Sequence, residues 1–244
     1  MPPVDRIVPR FVAEPPQEGL AYGRWAERLQ QEFLAACLRI ETEEGDDLGE
    51  PEGDITWFPD RTYAGRTYVP ATARTTEGWE LFGYVSFVRD DDGDASGFEA
   101  AAEATDVLAE DNPDWRIDLS DVEIGTWRGR DAKVAAMTLV WGVPLIQNGA
   151  IATAELGGVS ESTKVTVDQC ELDDGRFTLL AADRYPYDDD VLEVRLFDRR
   201  GRELTRESLY EDDGEDSEDS EDSEDEGAAG SEGGGSEGSE GSGP

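Results

Sequence analysis

Chemistry in this chain has to come from carboxylates, because its 244 residues include no histidine. That removes the usual general base near neutral pH, the commonest metal ligand and every Ser-His or Cys-His nucleophile pair. The nucleotide-loop pattern ending in Gly-Lys-Ser/Thr is absent, and the dinucleotide Gly-x-Gly-x-x-Gly occurs only at residues 233–238 of the Gly/Ser/Glu tail, with no predicted strand before it or helix after it to make a phosphate loop. Cys37 and Cys170 stand far apart and in no metal-ligand spacing. Placed on the apolar face of a predicted helix and in a predicted strand, they read as buried free thiols, with a disulfide between them left open. Carboxylate pairs can do acid–base work unaided, as in glycoside hydrolysis. With 59 acids in the chain, however, nearly any spacing arises by chance. Asp90, Asp92 and Asp94 invite comparison with a calcium loop, but Ala95 and Ala101 occupy the positions where such a loop needs Gly and Glu. A solvated turn is expected there, and a loop at Asp188-Asp189-Asp190. No catalytic, cofactor-binding or metal-ligating residue is assigned, and an enzyme is disfavoured.

The one stretch with binding character lies in residues 55–75. Three arginines there face a single aspartate, a local excess of positive charge in an acidic chain. Trp57, Phe58, Tyr63 and Tyr68 interleave with Arg61 and Arg66. Trp, Tyr and Arg are enriched at interface hot spots, since each joins large contact area to a polar handle. These six residues form the candidate partner-binding surface. The competing reading has the aromatics cap a sheet while the arginines pair with neighbouring acids.

The elements that must hold this stretch follow from periodicity. From Gly19 to Glu41, Tyr22, Trp25, Leu29, Phe33, Cys37 and Ile40 recur every three or four residues, which predicts a covering helix; Leu34 and Leu38 widen its stripe. Glu43 to Asp54 reads as an acidic linker, and Trp79 to Arg89 as a strand. Ser96-Gly97-Phe98-Glu99 has capping-box form, predicting a second helix that ends at Asn112-Pro113. Strands are expected at Val122–Trp127 and Ala132–Val143. The uncharged run Val134 to Ile146, apolar in both alternating sets, marks the centre of the sheet. Asn148-Gly149 would then turn the chain so that Ala150–Leu156 returns as the partner strand. Four further strands follow at Thr163–Leu172, Phe177–Ala182, Val191–Asp198 and Glu203–Tyr210, with turns at Asp173-Asp174-Gly175 and Arg199-Arg200-Gly201. The fold class is α+β, a mostly antiparallel sheet of about nine strands with two covering helices.

Three segments are expected. Residues 1–18 carry five prolines and form an extended arm, whose apolar middle packs along its own domain or adds to a neighbouring subunit's sheet edge. Residues 19–210 form the domain, with 163–210 either a small β unit or part of the same sheet. Residues 211–244 contain only Glu, Asp, Ser, Gly, Ala and Pro, cannot build a core, and are expected to be disordered.

Charge narrows the partners. The chain carries −38; fifteen of its acids lie in the tail, so residues 1–210 still carry −23. Lysine occurs only at Lys133 and Lys164, the other 19 bases being arginine. This composition resembles that of proteins from salt-accumulating cells, although a GC-rich genome also favours arginine. Such charge repels nucleic acid and anionic membrane surfaces. No apolar leader or 18-residue apolar run is present, so a cytoplasmic location is expected. The favoured function is a non-enzymatic interaction or assembly protein, binding a basic protein partner or a second copy of itself through the aromatic–Arg surface. The alternatives are a carboxylate-only enzyme for a small ligand or metal, and a chaperone that captures a basic protein with its acidic tail.

Overall fold

The computed structural model describes residues 22–42, 47–91, 93–128, 134–157, 165–183 and 191–209. The Pro-rich arm, the acidic tail, Asp92 and the Asp188–Asp190 run lie outside the described residues. Among those described are one α-helix and twelve strands, all strand pairs antiparallel.

The helix, α1 (Tyr22–Cys37), buries Leu29, Phe33, Ala36 and Cys37, positions that share one face at helical spacing. It covers a sheet of β1 (Pro51–Trp57), β2 (Arg61–Tyr63), β3 (Arg66–Thr75), β4 (Glu80–Arg89) and β5 (Ala95–Thr105). β1 pairs with the second half of β3 and β2 with the first, so the two make one edge interrupted at Phe58-Pro59-Asp60. On β3 and β4 the set Val69, Ala71, Ala73, Leu81, Val85 and Phe87 packs under the helix. The opposite face presents Tyr68, Phe82 and Tyr84 to a second sheet.

That second sheet has the order β10 (Phe177–Asp183), β7 (Val134–Pro144), β6 (Ile117–Arg128). Its middle strand β7 is buried on both faces, as its uncharged run predicts: Met137, Leu139 and Trp141 meet the first sheet, and Val140 meets the third. The third sheet is β12 (Glu203–Ser208), β11 (Val191–Phe197), β8 (Ile151–Gly157), β9 (Val165–Glu171). Ala152, Ala154, Leu192, Val194 and Leu196 of this sheet close the core against Phe177, Leu179 and Ala181 of β10.

Three expectations need correction. The predicted second helix, Ser96 to Asp111, is strand β5 followed by a 3₁₀ turn at Ala109–Asp111. Its alanines alternate rather than wind: Phe98, Ala100, Ala102 and Ala104 face α1, while Glu99 and Glu103 face solvent. The strand lies so close to β4 that a Cβ on Gly83 would collide with the Ala101 carbonyl oxygen and sit 2.8 Å from Ala102 Cα. Small residues are thus needed where two backbones and a helix converge, and helix propensity yields to that packing. The predicted linker holds the start of β1. Finally, Asn148 does adopt a positive φ of 72°, but Ala150–Leu156 does not return along β7. β8 joins the third sheet instead, between β9 and β11. Among the described residues the fold is therefore mostly antiparallel β, with one covering helix.

The turn at Asp174-Gly175 has φ of 47° and 74°, the paired positive values of a tight hairpin. Asp173 and Arg176 exchange hydrogen bonds of 2.8 and 2.9 Å across it. Beyond this one bridge β9 and β10 diverge into different sheets, and the Asp168 carboxylate accepts the Leu180 N–H at 2.8 Å at the point of separation.

Candidate functional site

The aromatic–Arg stretch spans β1, β2 and the start of β3, and the structure turns much of it inward. Phe58 and Tyr68 are buried, Phe58 edge-on to Trp141 and Tyr68 edge-on to Tyr84. Arg61 is only 3% exposed. Its Nε stands 3.7 Å from Asp168 of β9 and has no hydrogen-bond partner, while its Nη1 donates to the Asp60 carbonyl. Burial pushes the Asp168 carboxyl above its usual range, against the lowering pull of the Leu180 N–H and Arg61. Burial raises the neighbouring Cys170 thiol as well. Trp57, Tyr63 and Arg66 are half-buried. Trp57 leans edge-on against Phe33 of α1. Tyr63 donates its hydroxyl to the Thr126 carbonyl at 2.9 Å. Arg66 donates to Ser86 Oγ at 3.0 Å and Gly97 O at 2.6 Å, and pairs with Glu99 at 2.9 Å. Phe58, Arg61, Tyr63 and Tyr68 thus tie the helix-covered sheet to the strands beneath it, while Trp57 and Arg66 are held within the helix-covered layer.

A different set of residues shapes a groove between the sheets. Where β1, β3 and β4 meet β6 and β7, a groove of about 440 Å³ opens between the first two sheets. Glu52 and Asp54 of β1, Glu80 of β4 and Asp118 of β6 contribute four carboxylates, with Arg74 of β3 as the cation among them. Phe58, Thr72, Ser120 and Gly142 also line it. Alternation explains the convergence: Thr72 and Arg74 share the face of β3 that looks away from α1, and β6 pairs with β7 so that Leu119 lies opposite Gly142. Gly142 has no Cβ because Asp118 O occupies that space.

The electrostatics of the groove are unbalanced. Arg74 Nε lies 3.4 Å from Glu80 and its Nη2 3.4 Å from Glu110, so one guanidinium serves two acids. Glu80 is pushed up to about 6, first by burial, then by the charge of Asp118, with Arg74 opposing and Glu110 adding a little. Asp118 is also raised, again chiefly by burial. Such a site holds excess negative charge in reduced dielectric and is relieved by a proton or by a bound cation. Among the described residues, no group of three or more His, Cys, Asp or Glu is arranged to hold a metal ion. The Asp90 carboxylate accepts the Asp94 N–H at 2.7 Å, closing the turn between β4 and β5.

The groove residues lie on five strands spread from Glu52 to Val143, and no local motif connects them. With acids throughout the sequence, neither Glu80 nor Asp118 stands out by type or spacing. Compared with protein-family models, with curated proteins and with solved structures, the chain matches none.

Proposed function

We propose that this is a non-enzymatic binding protein whose groove between β1, β3, β4 and β6 takes a cationic group, such as an arginine or lysine side chain of a protein partner. The observation that supports this reading is the surplus of carboxylates around Arg74, with Glu80 raised to about 6. A guanidinium or ammonium in the groove would stabilise Glu80 and Asp118 in their charged forms, recovering interaction that burial withholds. The partner-binding role read from the sequence is thereby kept, and moved from the aromatic–Arg stretch to the groove.

The test uses the full chain and a single-charge probe, acetyl-arginine amide, followed by amide chemical shifts. Shifts confined to Thr72, Glu80, Ser120 and Gly142, and abolished by Glu80→Gln with Asp118→Asn, are expected. Shifts spread evenly over the acidic surface, or unaffected by the double substitution, would mean nonspecific screening and would sink the proposal.

The same observation favours one second reading. A carboxyl raised to about 6 by burial beside a second carboxyl, Asp118, is the kind of pair from which a general acid and its partner base are built. A carboxylate-only enzyme would lose turnover with either single substitution, whereas a cation binder would be weakened in steps.

A further inference from the structure

Strand β5 is an eleven-residue strand that, among the described residues, pairs only with β4. Its backbone polarity can be assigned from its contacts. The Ala101 carbonyl oxygen points at Gly83 of β4, and the Glu99 carbonyl receives Ser86 Oγ at 3.3 Å, so the odd-numbered residues turn their peptide groups inward. In an antiparallel ladder the alternate residues turn theirs outward. Ala100, Ala102 and Ala104 therefore offer N–H and C=O groups to the open edge; Phe98, beside the irregularity opposite Phe87, offers its C=O. In keeping with this, Arg39 Nη2 reaches the Ala100 carbonyl at 3.2 Å. The side chains of these four residues face the core under α1, while Glu99 and Glu103 are exposed on the other face. Glu99 shares Arg66 yet remains 74% exposed.

An edge of this kind is a template for another strand. One segment of the chain has the matching pattern, Arg6-Ile7-Val8-Pro9-Arg10-Phe11-Val12. Arg6 and Arg10 are four residues apart, as are Glu99 and Glu103. Residues at that separation on a strand share a face and stand about 13 Å apart. We propose that residues 6–12 add to the edge of β5 in the same chain as an antiparallel strand, with Arg10 opposite Glu99, Val8 opposite Ala101 and Arg6 opposite Glu103.

This register satisfies three separate demands. Ile7, Pro9 and Phe11 fall on the face that holds Ala102, Ala100 and Phe98, joining the apolar layer under α1. Pro9, which has no N–H to donate, comes opposite Ala100, whose carbonyl already accepts Arg39. A shift of one residue would set the arginines among the alanines, and a shift of two would leave a carbonyl at Phe98 or Ala102 facing the proline without a donor. The antiparallel direction brings Val12 to the Gly97 end of β5. There Trp25 of α1 packs on Phe98 at 6.4 Å, and the nine residues 13–21 lead into the helix.

The test is cysteine trapping in the full chain. Val8→Cys with Ala101→Cys places two thiols in a non-hydrogen-bonded pair, with Cα atoms about 4.5 Å apart and within disulfide range. Ile7→Cys with Ala101→Cys puts them on opposite faces. The native Cys37 and Cys170 are buried and do not compete. Mild oxidation is expected to cross-link the first pair within one chain and leave the second open. Equal cross-linking of both pairs, or of neither, overturns the register, and a cross-linked dimer overturns the assignment to the same chain. A second measurement leaves residue 101 unchanged: Arg6→Glu with Arg10→Glu should speed hydrogen exchange at the Ala102 amide at least tenfold, and Glu99→Arg with Glu103→Arg in the same chain should restore it. Exchange that ignores the charge reversals also overturns the proposal.

Discussion

Glu80 is the residue at which the groove can be examined most directly. Its side chain is 16% exposed, so its shift from an ordinary 4.5 to about 6 is little screened by solvent. Because the folded pKa is the higher one, the folded state binds more protons than the unfolded state between these values. Stability attributable to Glu80 is then greatest below pH 4.5 and is lost as pH rises through about 6. The loss amounts to at most about 2 kcal/mol at 1.36 kcal/mol for each pH unit. Glu80→Gln removes the titration while Arg74 keeps Glu110. Relative to the parent, the variant should therefore gain about 1–2 kcal/mol between pH 4.5 and pH 7.5 in urea unfolding. A difference that does not change with pH would count against the raised carboxyl. The sequence offers no signal for this residue, since its environment is made by strands as far along the chain as Asp118 and Gly142. The aromatic–Arg stretch was conspicuous because of its composition. Composition does not distinguish an exposed Trp-Tyr-Arg surface from aromatics that cap a core, and Phe58, Arg61 and Tyr68 went inward.

At the scale of elements, what was legible depended on whether a strand's neighbours mattered. β7 could be read because an uncharged run tolerates burial on both faces whatever pairs with it. Its partner could not, since β8 and β10 are both short apolar strands and the choice of β10 is made by sheet packing far from the Asn148 turn. β5 carries conflicting signals: alanine and a Ser-x-x-Glu start argue for a helix, while the alternation of Glu99 and Glu103 with Phe98, Ala100, Ala102 and Ala104 argues for a strand. The deciding feature lies on β4. Gly83 lets the Ala101 backbone approach to a distance that no side chain allows. Gly83→Ala should therefore destabilise the protein by about 1–3 kcal/mol, the usual cost of overpacking. Ala101→Gly should not rescue it, because the obstructing atoms are backbone. An unchanged urea midpoint in Gly83→Ala would show that β5 is not held at this distance.

Two of the arginines among the described residues, Arg195 and Arg74, stand inside clusters of acids. Arg195 on β11 lies within 3.1 Å of Glu155 and Glu203 and 2.9 Å of Glu193, and Glu203 also accepts from Arg206 at 2.9 Å, so the acids of this cluster outnumber its two guanidinium groups. Arg74 is divided between Glu80 and Glu110 in the same way. Each cluster keeps a net negative charge, and the chain carries −38 in total. Like charges brought together by folding repel more strongly in the compact state than in the extended one. Salt shortens the range of that repulsion from about 10 Å at 0.1 M to about 3 Å at 1 M. The melting temperature of the full chain should accordingly rise by roughly 5–10 °C between 0.05 and 1 M NaCl, which at this size corresponds to about 2–4 kcal/mol. The shape of the rise separates screening from the alternative. Screening is largely complete by 1 M, whereas strengthened apolar burial continues to grow with concentration and is much larger in sulfate than in chloride. A curve that climbs steeply below 0.5 M, and similarly in chloride and sulfate at equal ionic strength, assigns the effect to self-repulsion among the carboxylates. A flat or falling curve over that range would mean that the Arg-centred clusters already balance the surface, and the negative charge would then need an explanation in a partner rather than in the solvent.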